Sequence, residues 1–135
     1  MRILILVCCL LVSVAEAEEE PIVIIISMDG VPHKISDNPK LNAFKRMERY
    51  GIKADHLIPV YQSTTYPAHV SLATGVYPDR HGILHNSFWD VKRGLFNYSD
   101  DASWIEAPPI WVLAEQQGIK SAVFFWVGAE TDWHS

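Results

Sequence analysis

Uninterrupted apolar runs mark the predicted strands of this chain. The first run, Ile22-Val23-Ile24-Ile25-Ile26, contains only β-branched residues and does not alternate with polar ones. A strand without alternation is typical of a parallel sheet that is covered on both faces. Further strands are predicted over 53–60 and 122–127, where apolar residues again cluster. The apolar pattern therefore favours a buried, mostly parallel sheet.

Helical signals lie between these strands. A helix is predicted from Asn38-Pro39 to Gly51, because apolar residues recur at 41, 44 and 47. A second helix is predicted from Thr65, which suits an N-cap, to Gly75, which can close the C-terminus. A third helix is predicted to begin at Pro108-Pro109 and to stop at Gly118.

Turn-forming residues define the rest of the chain. Residues 76–82 are predicted to form a turn-rich loop, and 87–98 a small hairpin with Lys92-Arg93-Gly94 at its turn. The order β-α-β-α-hairpin-α-β predicts an α/β fold with layers around a mostly parallel sheet. Since no helix follows the last predicted strand, we expect this layered fold to be truncated.

The N-terminus has the pattern of an export signal. Arg2 precedes an apolar run, Ile3 to Val14, and Ala15-Glu16-Ala17 is a small-x-small cleavage site. We therefore predict a signal peptide over 1–17 and an exported protein, whether secreted, periplasmic or extracellular. The run is shorter than the roughly 20 residues that span a bilayer, so no transmembrane segment is expected after cleavage. An uncleaved anchor is the alternative.

Composition narrows the class of protein. A chain of 135 residues with 49% hydrophobic and 20% charged residues is sized for one globular domain. Its net charge of −5 argues against a nucleic-acid duplex as partner, because a duplex needs clustered Lys and Arg. Nucleotide substrates remain open, since a bound divalent metal reverses the local field. Cys8 and Cys9 lie within the predicted signal peptide, so no disulfide or thiol nucleophile is expected in the mature protein.

Asp29 and Thr65 are the first candidates for chemistry. Asp29 follows the first predicted strand, and ligands of open α/β sheets bind at the carboxyl ends of strands. Thr65 begins a predicted helix, where free backbone N–H groups favour a phosphate. A carboxylate and a hydroxyl placed in this way suit a metal-assisted phosphate site. The structural alternatives are an Asp-Gly turn at Asp29 and a simple N-cap at Thr65.

Other polar side chains near these positions allow two interpretations each. His69 lies one helical turn after Thr65 and could orient the loop, bind a metal or form a core hydrogen bond. Asn86 could donate its amide to a phosphoryl oxygen, or belong to a turn. Tyr66 could stack on a nucleotide base, or simply be buried. His81 precedes a glycine in a loop, where a structural role is the commoner one.

The ordered motifs together resemble a known family. They are Ser-Met-Asp-Gly at 27–30, Thr-Tyr-Pro-Ala-His at 65–69, Thr-Gly-Val-Tyr-Pro-Asp-Arg-His-Gly-Ile at 74–83, His-Asn at 85–86, Pro-Ile-Trp at 109–111 and Phe-Phe-Trp-Val-Gly at 124–128. In this order they resemble the N-terminal part of the nucleotide pyrophosphatase/phosphodiesterase family of the alkaline phosphatase superfamily. The resemblance implies an alkaline-phosphatase-like α/β/α fold, with 18–135 as the N-terminal part of the catalytic domain.

The resemblance also implies roles for individual residues. Asp29 matches a zinc ligand, and Thr65 matches the nucleophile, which binds the same zinc ion. Tyr66 matches an aromatic residue of the nucleotide-base pocket, where Phe is commoner. Asn86 matches a residue that binds substrate and assists catalysis by donating to the phosphoryl oxygens. His69 and the histidine at 81 match motif positions that are not assigned as ligands.

The chain departs from the family pattern in its metal ligands. The family's two zinc ions also need an Asp-x-x-x-His pair, an Asp-His-Gly segment and a further His, all later in the chain than the motifs above, and none of these follows those motifs here. Asp29 and Thr65 would supply about half of one site, so we expect weak zinc binding and no activity from these 135 residues alone.

The hypothesis is a full-length protein that hydrolyses phosphodiester or pyrophosphate bonds in nucleotide-type substrates through Thr65. Its alternatives are a phosphomonoesterase or a lipid- or glycan-directed phosphodiesterase of the same superfamily, or a non-catalytic binding fragment.

Overall fold

A computed structural model describes residues 21–130 and residue 133 of the chain. The predicted signal peptide at 1–17 lies outside the described residues, so its cleavage stays a prediction. No helix within the described part has the length and apolar character that crossing a membrane requires.

The described residues form four α-helices, two short 3-10 turns and one hairpin. The helices are α1 (Asn42–Tyr50), α2 (Thr65–Thr74), α3 (Pro78–His81) and α4 (Ile110–Gln116). The strands are β1 (Ser87–Asp90) and β2 (Gly94–Asn97), and the 3-10 turns are His33–Asp37 and Ala102–Trp104.

The first two helices begin one position or more away from the predicted start. The Asn38 side chain accepts a hydrogen bond from the Lys40 backbone N–H at 3.0 Å, which stabilises a turn rather than a helix, and α1 begins only at Asn42. The N-cap of α2 is Thr64, whose carbonyl accepts the N–H of Ala68 at 3.1 Å. The predicted N-cap, Thr65, is therefore the first helical residue.

The later elements follow the sequence signals more closely. Gly75 ends α2 in the left-handed conformation, as predicted. The predicted loop over 76–82 contains the short helix α3, because Pro78 at its first turn and Gly82 at its end are compatible with a helical turn. Helix α4 begins after Pro109 and lies within the predicted range.

The predicted hairpin is present and has one buried face. Strands β1 and β2 pair antiparallel with Phe88 opposite Phe96 and Trp89 opposite Leu95. Phe96 is buried and Phe88 partly buried, whereas Trp89 and Leu95 on the other face are exposed. This alternation is the expected pattern for an antiparallel pair with one face against a core.

The core lies between α2 and the hairpin. Val70 of α2, Ile83 and Phe96 are each 1% exposed, and partly buried aromatic residues pack around them. Phe96 stacks on Phe88 at a ring distance of 4.9 Å and meets the edge of Trp104 at 5.3 Å. This small core fixes the N-terminal half of α2 relative to the hairpin.

The predicted parallel sheet is absent from the described residues. The segments 22–26, 53–60 and 122–127 have no strand pairing there, and the one sheet of the described part is the two-stranded antiparallel hairpin. Their apolar side chains are mostly exposed; Ile22 is 89% exposed and Phe125 is 99% exposed. A strand needs a hydrogen-bonded neighbour and, in a parallel sheet, cover on both faces. The α/β content is confirmed, but the described residues do not confirm the layered parallel sheet.

Candidate functional site

Asp29 and Thr65 meet at the N-terminus of α2. The Thr65 Oγ1 hydroxyl donates a hydrogen bond to Asp29 Oδ2 at 3.1 Å, across 36 residues of chain. Asp29 lies in the exposed turn that follows residues 22–26, and Thr65 is half-buried in the first turn of α2. The structure thus brings together the two residues that the sequence proposed as a carboxylate–hydroxyl pair.

His69 attaches the loop that carries Asp29 to α2. Its Nδ1 lies 2.8 Å from the Thr65 carbonyl oxygen, and its Nε2 lies 3.0 Å from Ser27 Oγ. Because a carbonyl can only accept, Nδ1 carries the proton, and Nε2 accepts the Ser27 hydroxyl. The loop therefore contacts α2 at two points, through Ser27 and through Asp29. Of the roles open to His69 from sequence, orienting the loop is the one that this geometry favours.

A tryptophan also contacts this histidine. Trp126 Nε1 donates to the His69 carbonyl oxygen at 3.1 Å, and the two rings meet edge to face at 5.7 Å. No sequence pattern predicted this contact, because the two residues are 57 positions apart.

Asn86 lies beside the first turn of α2. Its Oδ1 accepts the backbone N–H of Tyr66 at 2.8 Å, and its Nδ2 donates to the Tyr98 hydroxyl at 3.1 Å. The N–H of Tyr66 is one of the donors that a helix start leaves without an intrahelical partner. Asn86 thus satisfies the backbone donor of the residue that follows Thr65.

Tyr66 is held between two aromatic rings. It meets Phe96 edge to face at 5.6 Å and Tyr98 at 5.5 Å. Partial burial raises the pKa of the Tyr66 phenol, and the carboxylates of Glu130 and Asp100 raise it further. The phenol is therefore uncharged near neutral pH, which suits a surface that packs against another ring.

His81 lies outside this group of residues. It is fully buried, its Nδ1 accepts the Ile83 N–H at 3.1 Å, and its Nε2 lies 2.8 Å from Ser71 Oγ. Because Nδ1 is the acceptor, Nε2 carries the proton and donates to the Ser71 hydroxyl. Burial lowers the pKa of His81. Its role is to connect α3 to the middle of α2.

The donor set at Asp29 and Thr65 matches only part of a metal site. A carboxylate and a hydroxyl oxygen 3.1 Å apart can occupy two neighbouring coordination positions of a divalent ion. Within the described residues, however, no group of three or more His, Cys, Asp or Glu side chains is arranged to hold a metal. A zinc site needs about four ligands, so Asp29 and Thr65 by themselves do not complete one.

Comparison with known proteins identifies the family. The sequence profile of the type I phosphodiesterase / nucleotide pyrophosphatase family matches residues 23–135. The chain therefore belongs to this family, as the motif order indicated.

Several relatives share this part of the chain. Ectonucleotide pyrophosphatase/phosphodiesterase family member 1 of Homo sapiens is 32% identical over 121 residues, which cover 84% of this chain and 13% of the relative. Family member 3 of Bos taurus is 32% identical over 126 residues, 85% of this chain and 14% of the relative. Venom phosphodiesterase 2 of Crotalus adamanteus is 36% identical over 124 residues, 84% of this chain and 15% of the relative. The chain thus spans about a seventh of the length of these relatives.

Proposed function

We propose that this chain is the N-terminal part of the catalytic domain of an exported phosphodiesterase or nucleotide pyrophosphatase, with Thr65 as the nucleophile. The observation that carries the proposal is the Thr65–Asp29 hydrogen bond at the start of α2, with Asn86 bound to the next residue. Family membership and the names of the relatives, which describe nucleotide pyrophosphatases and phosphodiesterases, support the same reaction class.

The first turn of α2 suits the binding of a phosphoryl group. Helix α2 has ten residues, and its N-terminus, where Thr65 lies, is the positive end of the helix dipole. Thr65 lies in this turn, so its hydroxyl is close to any anion that binds there. The Tyr66–Tyr98 pair would form the wall beside the group attached to phosphorus.

In the proposed reaction, Thr65 Oγ1 attacks phosphorus while the bond to the leaving oxygen breaks and that oxygen takes the electron pair. The product is a phosphate ester of Thr65 that still carries the nucleoside, and the Thr65 hydroxyl proton ends on the leaving oxygen. Water then hydrolyses this ester, releases the nucleoside monophosphate and restores the Thr65 hydroxyl. Asp29 accepts the Thr65 hydrogen bond and so orients the hydroxyl before attack. Asn86 has an amide donor for the phosphoryl oxygens.

A divalent ion, which we propose to be zinc, would be held by Asp29 and Thr65 and would lower the pKa of the Thr65 hydroxyl. The remaining ligands of this ion, and those of a second zinc ion, would come from parts of the full-length protein that follow the chain described here. Zinc binding by this chain alone is therefore expected to be weak.

The test is turnover by the full-length protein on a p-nitrophenyl ester of a nucleoside 5′-monophosphate. Thr65→Ala is expected to lower kcat by at least about a thousandfold, because the nucleophile is lost. Thr74→Ala, at the other end of the same helix, is the matched control and is expected to keep kcat. Zinc content, measured in parallel, is expected to fall by less than half. Turnover that survives Thr65→Ala would contradict the assignment.

Two further measurements separate this function from its alternatives. Acid-quenched protein with the nucleotide ester should yield a peptide that carries the nucleoside phosphate on Thr65. Relative rates on a nucleotide diester, a phosphomonoester and a choline-type lipid diester identify the substrate class. A preference for either of the last two would replace the nucleotide proposal, and no turnover on any of them would favour a binding role.

A further inference from the structure

Tyr98 faces Asn86 across the open end of the hairpin. The last paired residues at this end are Ser87 and Asn97, so Asn86 and Tyr98 occupy the next position on each strand. The Tyr98 backbone N–H donates to the Asn86 carbonyl oxygen at 2.9 Å, which extends the pairing by one step. Asn86 and Tyr98 are therefore held opposite each other on two paired segments.

The side-chain amide of Asn86 has only one orientation that satisfies its neighbours. The backbone N–H of Tyr66 can only donate, so Oδ1 must face it, at 2.8 Å. Nδ2 then faces the Tyr98 hydroxyl, which accepts one of its two protons at 3.1 Å. One amide proton of Asn86 remains for a ligand.

Tyr98 is itself fixed in place. Its ring meets Tyr66 edge to face at 5.5 Å and an interplanar angle of 89°. Its φ of +46° is uncommon for a residue other than glycine. The Tyr98 hydroxyl thus contacts Asn86 and its ring contacts Tyr66, although the residue is 58% exposed.

We propose that Tyr98 is a positioning residue that fixes the amide of Asn86 so that its second N–H is available to a phosphoryl oxygen. The inference rests on the proposed function, because it assigns a role within that reaction. Tyr98 acts through Asn86 and does not itself contact the reacting atoms.

The test compares Tyr98→Phe with the wild-type full-length protein on the p-nitrophenyl nucleotide ester. This substitution keeps the ring contact with Tyr66 and removes only the hydroxyl. We expect kcat to fall about three- to tenfold, the loss that one hydrogen bond corresponds to, with KM within about twofold. Tyr77→Phe is the matched control, because Tyr77 is exposed and its hydroxyl makes no hydrogen bond within the described residues. We expect no change in this control.

A double-mutant cycle identifies the route of the effect. If Tyr98 acts through Asn86, Tyr98→Phe should have no further effect on kcat in an Asn86→Ala background. Equal losses in both backgrounds would overturn the proposal, since they would mean that Tyr98 acts independently. A rise in KM with unchanged kcat would also overturn it, because the exposed hydroxyl would then contact the bound substrate directly.

The outcomes also separate this inference from the proposed function. An inactive wild-type protein, or an active Thr65→Ala variant, contradicts the proposed function. A wild-type protein that depends on Thr65 but is unaffected by Tyr98→Phe contradicts only the role of Tyr98. Thermal unfolding of each variant is measured first. The kcat values of the double-mutant cycle are then compared at a temperature at which all of the variants are folded.

Discussion

Replacement of His81 tests whether a buried histidine maintains the position of α2. In the structure the imidazole is fully buried and holds two groups, the Ile83 N–H at 3.1 Å and the Ser71 hydroxyl at 2.8 Å. His81→Ala leaves the Ile83 N–H and the Ser71 hydroxyl without the imidazole as hydrogen-bond partner, and it creates a cavity in the core. A buried donor that loses its partner costs about 1–3 kcal/mol, and the Ile83 N–H is such a donor. With the lost ring packing, we expect the free energy of unfolding to fall by about 3–5 kcal/mol.

The same histidine should make stability depend on pH. Protonation of Nδ1 would place an N–H against the Ile83 N–H and would leave a charge in the core, so the folded state favours the neutral ring. Since burial lowers the pKa of His81 in the folded protein, the unfolded state binds the proton more readily. The contribution of His81 is complete above the unfolded pKa of about 6.5 and is lost as the pH falls below it. The slope is at most about 1.4 kcal/mol per pH unit.

The assay is urea unfolding of the full-length protein, followed by tryptophan fluorescence at pH 7.5 and at pH 5.5. His81→Asn keeps an acceptor near the Nδ1 position but cannot bind a proton, so its stability should change less between the two pH values than that of the wild type. His56→Ala is the control, because His56 is exposed. It should change stability by less than about 0.5 kcal/mol at pH 7.5. A loss below about 1 kcal/mol for His81→Ala would refute the reasoning, as would an equal pH dependence in His81→Asn.

Two further predictions concern the loop at Asp29 and the turn after α3. His69→Ala should lower kcat on the p-nitrophenyl nucleotide ester by about ten- to a hundredfold, because it removes the loop attachment at Ser27 together with the hydrogen bond to the Thr65 carbonyl and the ring contact with Trp126. Ser27→Ala removes the loop attachment alone and should lower kcat only a few-fold. Gly82→Ala should destabilise the protein by at least about 1 kcal/mol more than Gly94→Ala in urea unfolding. Both glycines have positive φ, +82° and +85°, but a Cβ at Gly82 would lie 3.2 Å from the Trp104 carbonyl oxygen, while one at Gly94 meets nothing within 4 Å.

In each prediction the second variant, Ser27→Ala or Gly94→Ala, is the control for the first. A wild-type kcat in His69→Ala would show that the loop does not need this attachment. Equal losses of stability in the two glycine variants would mean that the backbone conformation alone matters, and that the contact at Gly82 relaxes without cost.

The elements that sequence predicted correctly depend on neighbouring residues. Gly75 at the end of α2, the hairpin over 87–98 and the start of α4 after Pro109 all follow from the conformations that a few adjacent residues allow. The partnership of Asp29 with Thr65 was predicted from their positions after a strand and at a helix start. The structure has the two side chains in contact at 3.1 Å.

Contacts between distant segments could not be derived in this way. The sequence did not indicate that Trp126 would support His69, or that Tyr98 would orient Asn86, because these pairs form only once the segments are packed together. For His81, burial distinguished a core hydrogen-bonding role from the other uses of a histidine.

The sequence by itself determined the local elements, the family and the residue types at the candidate site. The tertiary structure decided which residues touch, and it left 22–26, 53–60 and 122–127 without strand pairing in the described part. The physical reason is the range of the interactions. A helix cap or a tight turn satisfies its hydrogen bonds within a few residues, whereas a strand in a parallel sheet depends on neighbours and covering layers that are distant along the chain.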